Sequence, residues 1–485
     1  MENPVEHDPT TEIRRLVSGT LMPGFVGTTV PDWITREYAA GLASVCLYGA
    51  NLAGAEQFSR LCSDLRRSGP DLVIAIDEEG GDVTRLHYLT GSPQPGNAIL
   101  GRLDDHLTTR ASGVSVGREL AAYGINLDLA PVVDVNSADE NPVIGTRSFG
   151  ADPGLVARHS AAWVEGLQSV GIAGCAKHFP GHGDTVTDSH LALPRVDAPA
   201  DVLEARELVP FRAAVAAGVA CVMTSHIVVS AIDPDRAATF SPVLLGEVLR
   251  GRLEFEGVIV SDALDMAGAS AETGVPEAAV RALSAGCDLL CLGSGTSEET
   301  HLAVVDALVV AVRSGRLDRS RVEDAARRVS ALGAAYPAVA EASRDDGAPD
   351  GDADGGALLS ADEVAAGFHV TDAAREWLAA DGPARIVQVG TATNVAVGQV
   401  AWGPAAAGLT VAEEDVPAGV RVAVVGRGLE PGHPAWACAG RLRAAGHRTI
   451  VVECGWPRGG ADIATYGGSL AAGTALGQLL GVDPR

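Results

Sequence analysis

The densest group of titratable side chains in the sequence lies in residues 177–194, KHFPGHGDTVTDSHLALP. Its prolines and glycines exclude a long helix, so the segment is predicted to be a shaped loop. Within it, Asp188 and His190 are two positions apart and point to the same side of an extended chain. A carboxylate beside an imidazole favours the charged imidazolium and fixes its tautomer, which predicts an acid/base dyad. The alternative is local: Asp188 caps a turn, and His178 is a rim residue with satisfied hydrogen bonds.

Lys177 is the only lysine among the 36 basic residues of the chain. Arginine presents a planar fork of donors, whereas lysine presents a compact ammonium group. The presence of one lysine in a chain that otherwise uses arginine therefore indicates that a compact cation is required at position 177. Chance survival of a single lysine is the competing explanation.

A carboxylate also follows an apolar run in residues 257–266, GVIVSDALDM. The run is predicted to be a strand that leads directly into Ser261 and Asp262. A carboxylate at the carboxyl end of a barrel strand is where a nucleophile would lie. The alternative is that an acid caps the next helix, and Asp265 fits that role better than Asp262 does.

Two further polar segments follow predicted strands. In AIDEEGGDVTR, Asp77 ends a strand and is suited to accept hydrogen bonds from two ligand hydroxyl groups. Ordinary loop charges are the alternative interpretation for Glu78 and Glu79 beside it. In NPVIGTRSFG, Arg147 is a candidate fork donor to an oxygen-rich ligand.

The elements that would position these residues are eight short apolar runs that alternate with helix-like segments. The runs are residues 19–25, 43–48, 72–77, 126–134, 172–177, 220–225, 258–262 and 288–292. Their number, and the polar residues that follow several of them, favour a (β/α)₈ TIM barrel with its active site at the carboxyl ends of the strands. An open doubly wound α/β sheet is the competing architecture.

The remainder of the chain predicts a second, smaller domain. The predicted parts are a catalytic barrel at 1–340, an acidic flexible linker at 341–360 and a sandwich-like C-terminal α/β domain at 361–485. The linker is rich in Asp, Gly and Ala and has no apolar period. Strands are predicted at 385–389, 420–425 and 449–453, and 463–480 is expected to form a turn followed by a helix.

Length and composition restrict the possible partners. The chain has 485 residues, 47% of them hydrophobic, and a formal net charge of −26, which is typical of a soluble two-domain protein. The acidic charge disfavours nucleic acid and anionic membranes. No apolar run reaches the ~18 residues that span a bilayer, and no secretory signal is recognised, so a cytoplasmic location is expected. The eight scattered cysteines fit a reducing compartment, with zinc at Cys287 and Cys291 as a minor alternative.

Four of these segments together resemble glycoside hydrolase family 3, in its bacterial β-N-acetylglucosaminidase (β-N-acetylhexosaminidase) branch. They are KHFPGHGDTVTDSH, DEEGGDVTR, NPVIGTRSFG and GVIVSDALDM, and the resemblance covers about residues 15–335. It implies a retaining glycosidase that removes terminal β-linked N-acetylglucosamine from a disaccharide or muropeptide through a covalent glycosyl-enzyme, with no metal or organic cofactor. It further implies that Asp262 is the nucleophile and that His190 with Asp188 is the acid/base dyad. The residues implied to bind the terminal sugar are Asp77, Arg85, Arg147, Lys177 and His178.

The chain departs from the family's usual blocks at two places. The block DQEGGRV reads DEEGGDV, with Glu78 and Asp82, and the block SDD ends in Ala263. Neither change removes a residue with an implied role, and the first is expected to affect the outer sugar subsite. Since a deprotonated histidine is neutral, it would not repel phosphate, which is therefore an acceptor to consider beside water. A cytoplasmic enzyme of this kind fits recycling of cell-wall muropeptides or use of imported chitin-derived disaccharides.

Two other functions are open to the same residues. A metal-dependent barrel hydrolase would bind zinc through His178, His182, Asp184 and His190. The first predicted strand, however, carries LMPGF and lacks the His pair that such barrels often place there. A non-catalytic sugar-binding or cell-wall-sensing protein would be expected to have lost the nucleophile or the dyad, and both are present.

Overall fold

The computed structural model describes residues 9–185, 193–338, 359–391 and 396–483. Its first part contains a separate two-stranded parallel sheet, Arg195–Val196 with Val228–Val229, and eight short strands of a larger assembly whose residues are buried. They are β1 (Leu21–Met22), β2 (Ser44–Leu47), β3 (Val73–Ile76), β4 (Leu127–Asp128), β5 (Ala173–Phe179), β6 (Cys221–Thr224), β7 (Val258–Val260) and β8 (Leu290–Cys291). Because both faces of these strands are covered, their sequences are apolar runs rather than alternations of polar and apolar residues.

The eight strands close into a ring. Strands β2 to β7 form one parallel sheet in sequence order. Strand β8 pairs in parallel with β1, with Leu21 opposite Leu290, and a parallel bridge joins β7 to Leu289. Between β1 and β2, the N–H of Cys46 donates to the carbonyl of Pro23 at 3.0 Å. The predicted (β/α)₈ barrel is therefore confirmed, and the open doubly wound sheet is wrong.

All of these strands except β5 are shorter than the apolar runs that predict them, whereas β5 extends to Phe179, beyond its run 172–177. The clearest case is the run 126–134, of which only Leu127–Asp128 belongs to the strand. Pro131 has no N–H to donate to a ladder, and Val132 beyond it makes an isolated bridge to Lys177. The rest of the run is a buried loop that ends at Asp134, at the mouth of the barrel.

Helices surround the barrel and pack their apolar faces on it. They are α1 (Pro9–Ser18), α2 (Asp32–Ala40), α3 (Ala55–Ser68), α4 (Asn97–Leu103), α5 (His106–Ala122), α6 (Pro153–Gln168), α7 (Ala200–Ala205), α8 (Leu208–Ala216), α9 (Ala267–Ser270), α10 (Gly274–Ala285), α11 (Glu298–Arg313) and α12 (Arg319–Ala335). A π-helical segment, Val243–Arg252, precedes β7. Among the described residues, none of the helices has both the length and the apolar character to cross a membrane.

The C-terminal part is a five-stranded α/β unit. Its strands are β9 (His369–Val370), β10 (Ala384–Gln388), β11 (Arg421–Gly426), β12 (Thr449–Glu453) and β13 (Ile463–Ala464), and its helices are α13 (Ala361–Ala366), α14 (Asp372–Leu378), α15 (Gly403–Ala406), α16 (Pro434–Ala444) and α17 (Leu470–Leu480). The sheet order is β9-β13-β12-β11-β10, with β9 antiparallel to β13. Two-residue strands such as β13, where a turn was expected, are too short to leave a periodic pattern. The domain boundaries remain a proposal, because most of the expected linker lies outside the described residues.

The C-terminal unit contacts the loops at the carboxyl ends of the barrel strands. Ile99 of α4 is fully buried in the apolar cluster that also contains residues of β10 to β13. A smaller apolar cluster joins Val83 and Tyr88 of the barrel loops to Val397 and Val400. These contacts bring the C-terminal residues beside the barrel mouth.

Candidate active site

A pocket of about 530 Å³ opens at the carboxyl ends of the barrel strands. Six of the predicted site residues line it: Asp77, Arg85, Arg147, Lys177, His178 and Asp262. They follow strands β3, β4 and β7 or lie near the carboxyl end of β5, so the barrel brings together residues that are far apart in the sequence. Other lining residues are Tyr48, His182, Met223, Ala263, Asp265, Met266, Ser270, Ser294 and Ala396.

Lys177 lies at the centre of a buried ion-pair network. Its side chain is 2% exposed, and Nζ lies 2.6 Å from Asp77 Oδ1 and 2.7 Å from Glu79 Oε1. The Arg147 guanidinium donates to both carboxylate oxygens of Glu79, from Nε to Oε2 at 2.9 Å and from Nη2 to Oε1 at 2.7 Å. Burial alone would lower the pKa of Lys177, but Asp77 and Glu79 outweigh burial and raise it. Lys177 is therefore a fixed cation.

Glu79 is a central member of this network, which corrects its interpretation as an ordinary loop charge. Its side chain is 1% exposed. Burial would raise its pKa, but Arg147 and Lys177 prevail and hold that pKa well below its usual range. Glu78 is equally buried, and its Oε2 accepts the backbone N–H groups of Arg85 at 2.8 Å and Leu86 at 2.9 Å. When several acidic residues follow a strand, the sequence alone does not show which of their side chains are buried.

Asp134 holds the histidines of the β5 loop, and the sequence interpretation gave it no role. Its Oδ2 lies 2.8 Å from His178 Nδ1, and its Oδ1 accepts the N–H of His182 at 2.7 Å. The other edge of the His178 ring faces Arg147, at 3.4 Å from Nη2. Burial lowers the pKa of His182 to about 4, so this imidazole is neutral at pH 7. The sequence could have indicated a role for Asp134, because this residue stands at the end of a predicted strand.

The geometry around His178 disfavours the metal-dependent alternative. A zinc ligand would need one ring nitrogen of His178 free for the ion, whereas Asp134 occupies one nitrogen and a guanidinium faces the other. Within the described ranges, no group of three or more His, Cys, Asp or Glu residues is placed to hold a metal ion. The proposed dyad, Asp188 and His190, lies outside the described residues.

Asp262 lies two residues after the end of the buried strand β7 and lines the pocket. The preceding Ser261 is fixed because its hydroxyl accepts the N–H of Cys291 at 3.0 Å. Asp262 Oδ1 accepts the N–H of Ala263 at 2.8 Å, which orients the carboxylate. Asp265 was expected to cap the next helix, and this is wrong: α9 begins after Met266 without a side-chain cap, and Asp265 lines the pocket instead.

Arg85 reaches the pocket while it is bound to the C-terminal unit. Its Nη2 donates to the carbonyl of Ala396 at 2.7 Å, and Nη1 donates to that of Val397 at 3.2 Å. Glu78 and Asp82, the two residues that depart from the family's usual DQEGGRV block, are not among the residues that line the pocket. The expectation that these two departures affect the outer sugar subsite therefore stays a prediction.

Comparisons with known proteins agree with this architecture. A β-hexosaminidase of Alkalilimnicola ehrlichii is 38% identical over 288 residues, covering 57% of this chain and 81% of that protein. One of Stenotrophomonas maltophilia K279a is 35% identical over 321 residues, covering 62% and 91%. The solved family 3 β-N-acetylglucosaminidase of Paenibacillus sp. FPU-7 superposes with a TM-score of 0.80 at 29% identity, over 97% of both chains. The profile described as the glycosyl hydrolase family 3 N terminal domain matches residues 25–332, so the chain belongs to glycosyl hydrolase family 3 and is a glycoside hydrolase.

Proposed function

We propose that this glycoside hydrolase removes terminal β-linked N-acetylglucosamine, or a related N-acetylhexosamine, with retention of anomeric configuration. The observation that carries the proposal is a single pocket that holds the Asp262 carboxylate together with the Asp77, Lys177 and Arg147 cluster. Its volume of about 530 Å³ suits a small glycoside. The relatives named β-hexosaminidase, and the Paenibacillus β-N-acetylglucosaminidase, support the choice of an N-acetylhexosamine.

In the proposed reaction, one Asp262 oxygen attacks the anomeric carbon as the glycosidic C–O bond breaks. His190, held by Asp188, gives its proton to the departing oxygen, and the sugar remains as an ester of Asp262. His190 then takes a proton from water, whose oxygen attacks the anomeric carbon and releases Asp262. Two inversions give net retention. Because the neutral His190 would not repel an anion, phosphate is proposed as a second acceptor, and rates with and without phosphate test it.

The remaining residues are proposed to bind the terminal sugar. Asp77 is the more accessible carboxylate of the network, at 16% exposure against 1% for Glu79. It is therefore the one placed to accept hydroxyl groups, while Lys177 and Arg147 supply donors and balance the negative charge. His178 and Arg85 complete the ring of polar groups around the pocket.

Lys177→Arg is expected to lower kcat/KM on an aryl β-N-acetylglucosaminide by about tenfold or more, equivalent to about 1.4 kcal/mol. The positive charge survives, but the fork is too large for a site where Nζ already contacts two carboxylates. Arg147 also occupies both oxygens of Glu79, so a second guanidinium has no free partner there. Steady-state kinetics check this, and wild-type values would show that the lone lysine is incidental.

His190→Ala is expected to separate substrates by their leaving groups. Cleavage of natural disaccharides should collapse, because their leaving oxygen needs a proton. A dinitrophenyl glycoside should be affected much less in its first step, so glycosyl-enzyme should accumulate. Azide, which needs no deprotonation, should restore turnover and give the β-glycosyl azide. Asp188→Asn should show a milder form of the same behaviour.

Equal slowing of good and poor leaving groups, without azide rescue, would remove His190 from the acid/base role. Glu78 and Glu79 are poor substitutes, since both are buried and held by other groups.

We further propose a cytoplasmic location and a role in recycling cell-wall fragments or chitin-derived disaccharides. All eight cysteines are free and buried, which is typical of proteins in a reducing compartment. Cell fractionation tests the location, and kinetics on chitobiose against an anhydromuramyl disaccharide test the substrate.

A further inference from the structure

Asp82 connects the barrel to the C-terminal unit. Its carboxylate is 4% exposed, and Oδ1 lies 2.9 Å from Arg427 Nη2. The same oxygen accepts the N–H of Gly468 at 2.9 Å, and Oδ2 accepts the hydroxyl of Thr146 at 2.7 Å. A buried carboxylate thus receives three donors, two from the C-terminal unit and one from the neighbour of Arg147.

The C-terminal side of this contact is shaped to receive Asp82. The Arg427 guanidinium lies over the ring of Trp402, 4.7 Å from its centroid, and is 13% exposed. A Cβ on Gly468 would lie 2.3 Å from Arg427 Nη2, so only glycine permits this approach. The ion pair is therefore sheltered from solvent screening, unlike a surface pair.

The segment that contains Asp82 also carries much of the sugar-binding face. Residues 77–85 begin with Asp77 and end with Arg85, and both line the pocket. Between them, Gly80 and Gly81 have φ of 72° and 71°, a conformation that tolerates other residues poorly. Glycine loses more conformational freedom on folding than any other residue, so the geometry of this turn depends on the contacts that anchor it.

We propose that the C-terminal domain completes the sugar-binding face of the active site, with Asp82 and Arg427 as positioning residues. Their ion pair fixes the 77–85 segment, and the carbonyls of Ala396 and Val397 fix the Arg85 fork. Ala396 also forms part of the pocket wall. This inference rests on the proposed function, in which the 77–85 segment binds the terminal sugar.

The test compares Arg427→Gln with Arg441→Gln in the full chain. Arg441 makes an exposed ion pair with Glu413 inside the C-terminal unit and contacts neither the barrel nor the pocket. Arg427→Gln is expected to raise KM by about tenfold while kcat changes by less than about threefold, because Asp262 follows a different strand. Arg441→Gln should leave both constants unchanged, and both variants should keep a wild-type far-UV spectrum.

Two more variants separate positioning from general damage. Arg427→Lys should restore part of the lost affinity, since it keeps a cation at the pair. Asp82→Asn should also raise KM, and combining it with Arg427→Gln should add little, because both remove one interaction. Should Arg427→Gln lower the Tm more than its control, Asp82→Asn carries the test, since asparagine keeps one acceptor oxygen for the N–H of Gly468 and its amide nitrogen donates to the hydroxyl of Thr146.

An unchanged KM in Arg427→Gln and Asp82→Asn would overturn the inference, as would equal falls in kcat with KM constant. The assay should use aryl β-glycosides of N-acetylglucosamine, N-acetylgalactosamine, glucose and xylose. A wild-type preference for glucose or xylose would defeat the proposed function alone. In that case the KM values of the variants would be measured on the preferred glycoside, and the inference about Asp82 and Arg427 would be tested there.

Discussion

Asp262→Asn is expected to reduce kcat by at least about a thousandfold while leaving the fold intact. Removing the nucleophile removes the covalent route altogether, and losses of this size or larger are typical of such variants. The fold should tolerate the change because asparagine keeps an oxygen to accept the N–H of Ala263, as Asp262 Oδ1 does at 2.8 Å. Steady-state kinetics and thermal unfolding measure the two parts of this expectation.

Asp265→Asn is the matched control, since Asp265 is another carboxylate in the same pocket, three residues away. It should retain most of the activity. A fluorinated sugar inactivator that forms a slowly hydrolysed ester should label Asp262, as identified by peptide mass. Residual activity above a few per cent in Asp262→Asn, or a label on Asp77 or Glu79, would assign the nucleophile elsewhere.

Glu79→Gln is expected to lower the free energy of unfolding by about 3–5 kcal/mol, the range found when one partner of a buried ion pair is removed. Arg147 would lose both of its charged contacts to Glu79, and Lys177 would keep only Asp77. The two buried cations would then lose the carboxylate that both of them contact. Urea unfolding followed by tryptophan fluorescence measures the loss, and sugar binding should weaken with it.

Glu78→Gln is the control for burial without ion pairing. Glu78 is also 1% exposed, but burial raises its pKa, and its Oε2 accepts two backbone N–H groups that a glutamine oxygen would accept equally well. This change should therefore be close to neutral or slightly stabilising. Equal destabilisation by the two variants would mean that the charge network around Glu79 contributes little.

The sequence predicts the barrel well because its strands are buried on both faces and leave strong apolar runs. For the same reason the ends of several runs locate polar residues at the barrel mouth, among them Asp77, Lys177 and Asp262. The inward direction of Glu79 and the role of Asp134 were missed, since burial of an acid depends on cations supplied by other loops. Asp188 and His190 lie outside the described residues, so their pairing rests on the sequence alone.

Contacts between the two parts of the chain were beyond prediction from the sequence. Asp82 and Arg427 are 345 positions apart, and neither lies in a periodic pattern that marks it as buried. Asp82 is visible only as a departure from the family's usual block. The structure gives that departure a physical meaning, because the carboxylate contacts Arg427 and Gly468 of the C-terminal unit and does not line the pocket.

Because the chain has one lysine and it is buried, the opening of the barrel mouth can be followed by the rate of a chemical modification. An amine-selective acylating reagent has one side-chain target in this chain, and that amine reacts only when its contacts with Asp77 and Glu79 open. The acylation rate at Lys177, followed as the mass of one peptide, therefore counts local openings of the native enzyme rather than global unfolding. A sugar bound in the pocket should slow that rate in proportion to its occupancy, so the protein carries its own reporter of ligand residence.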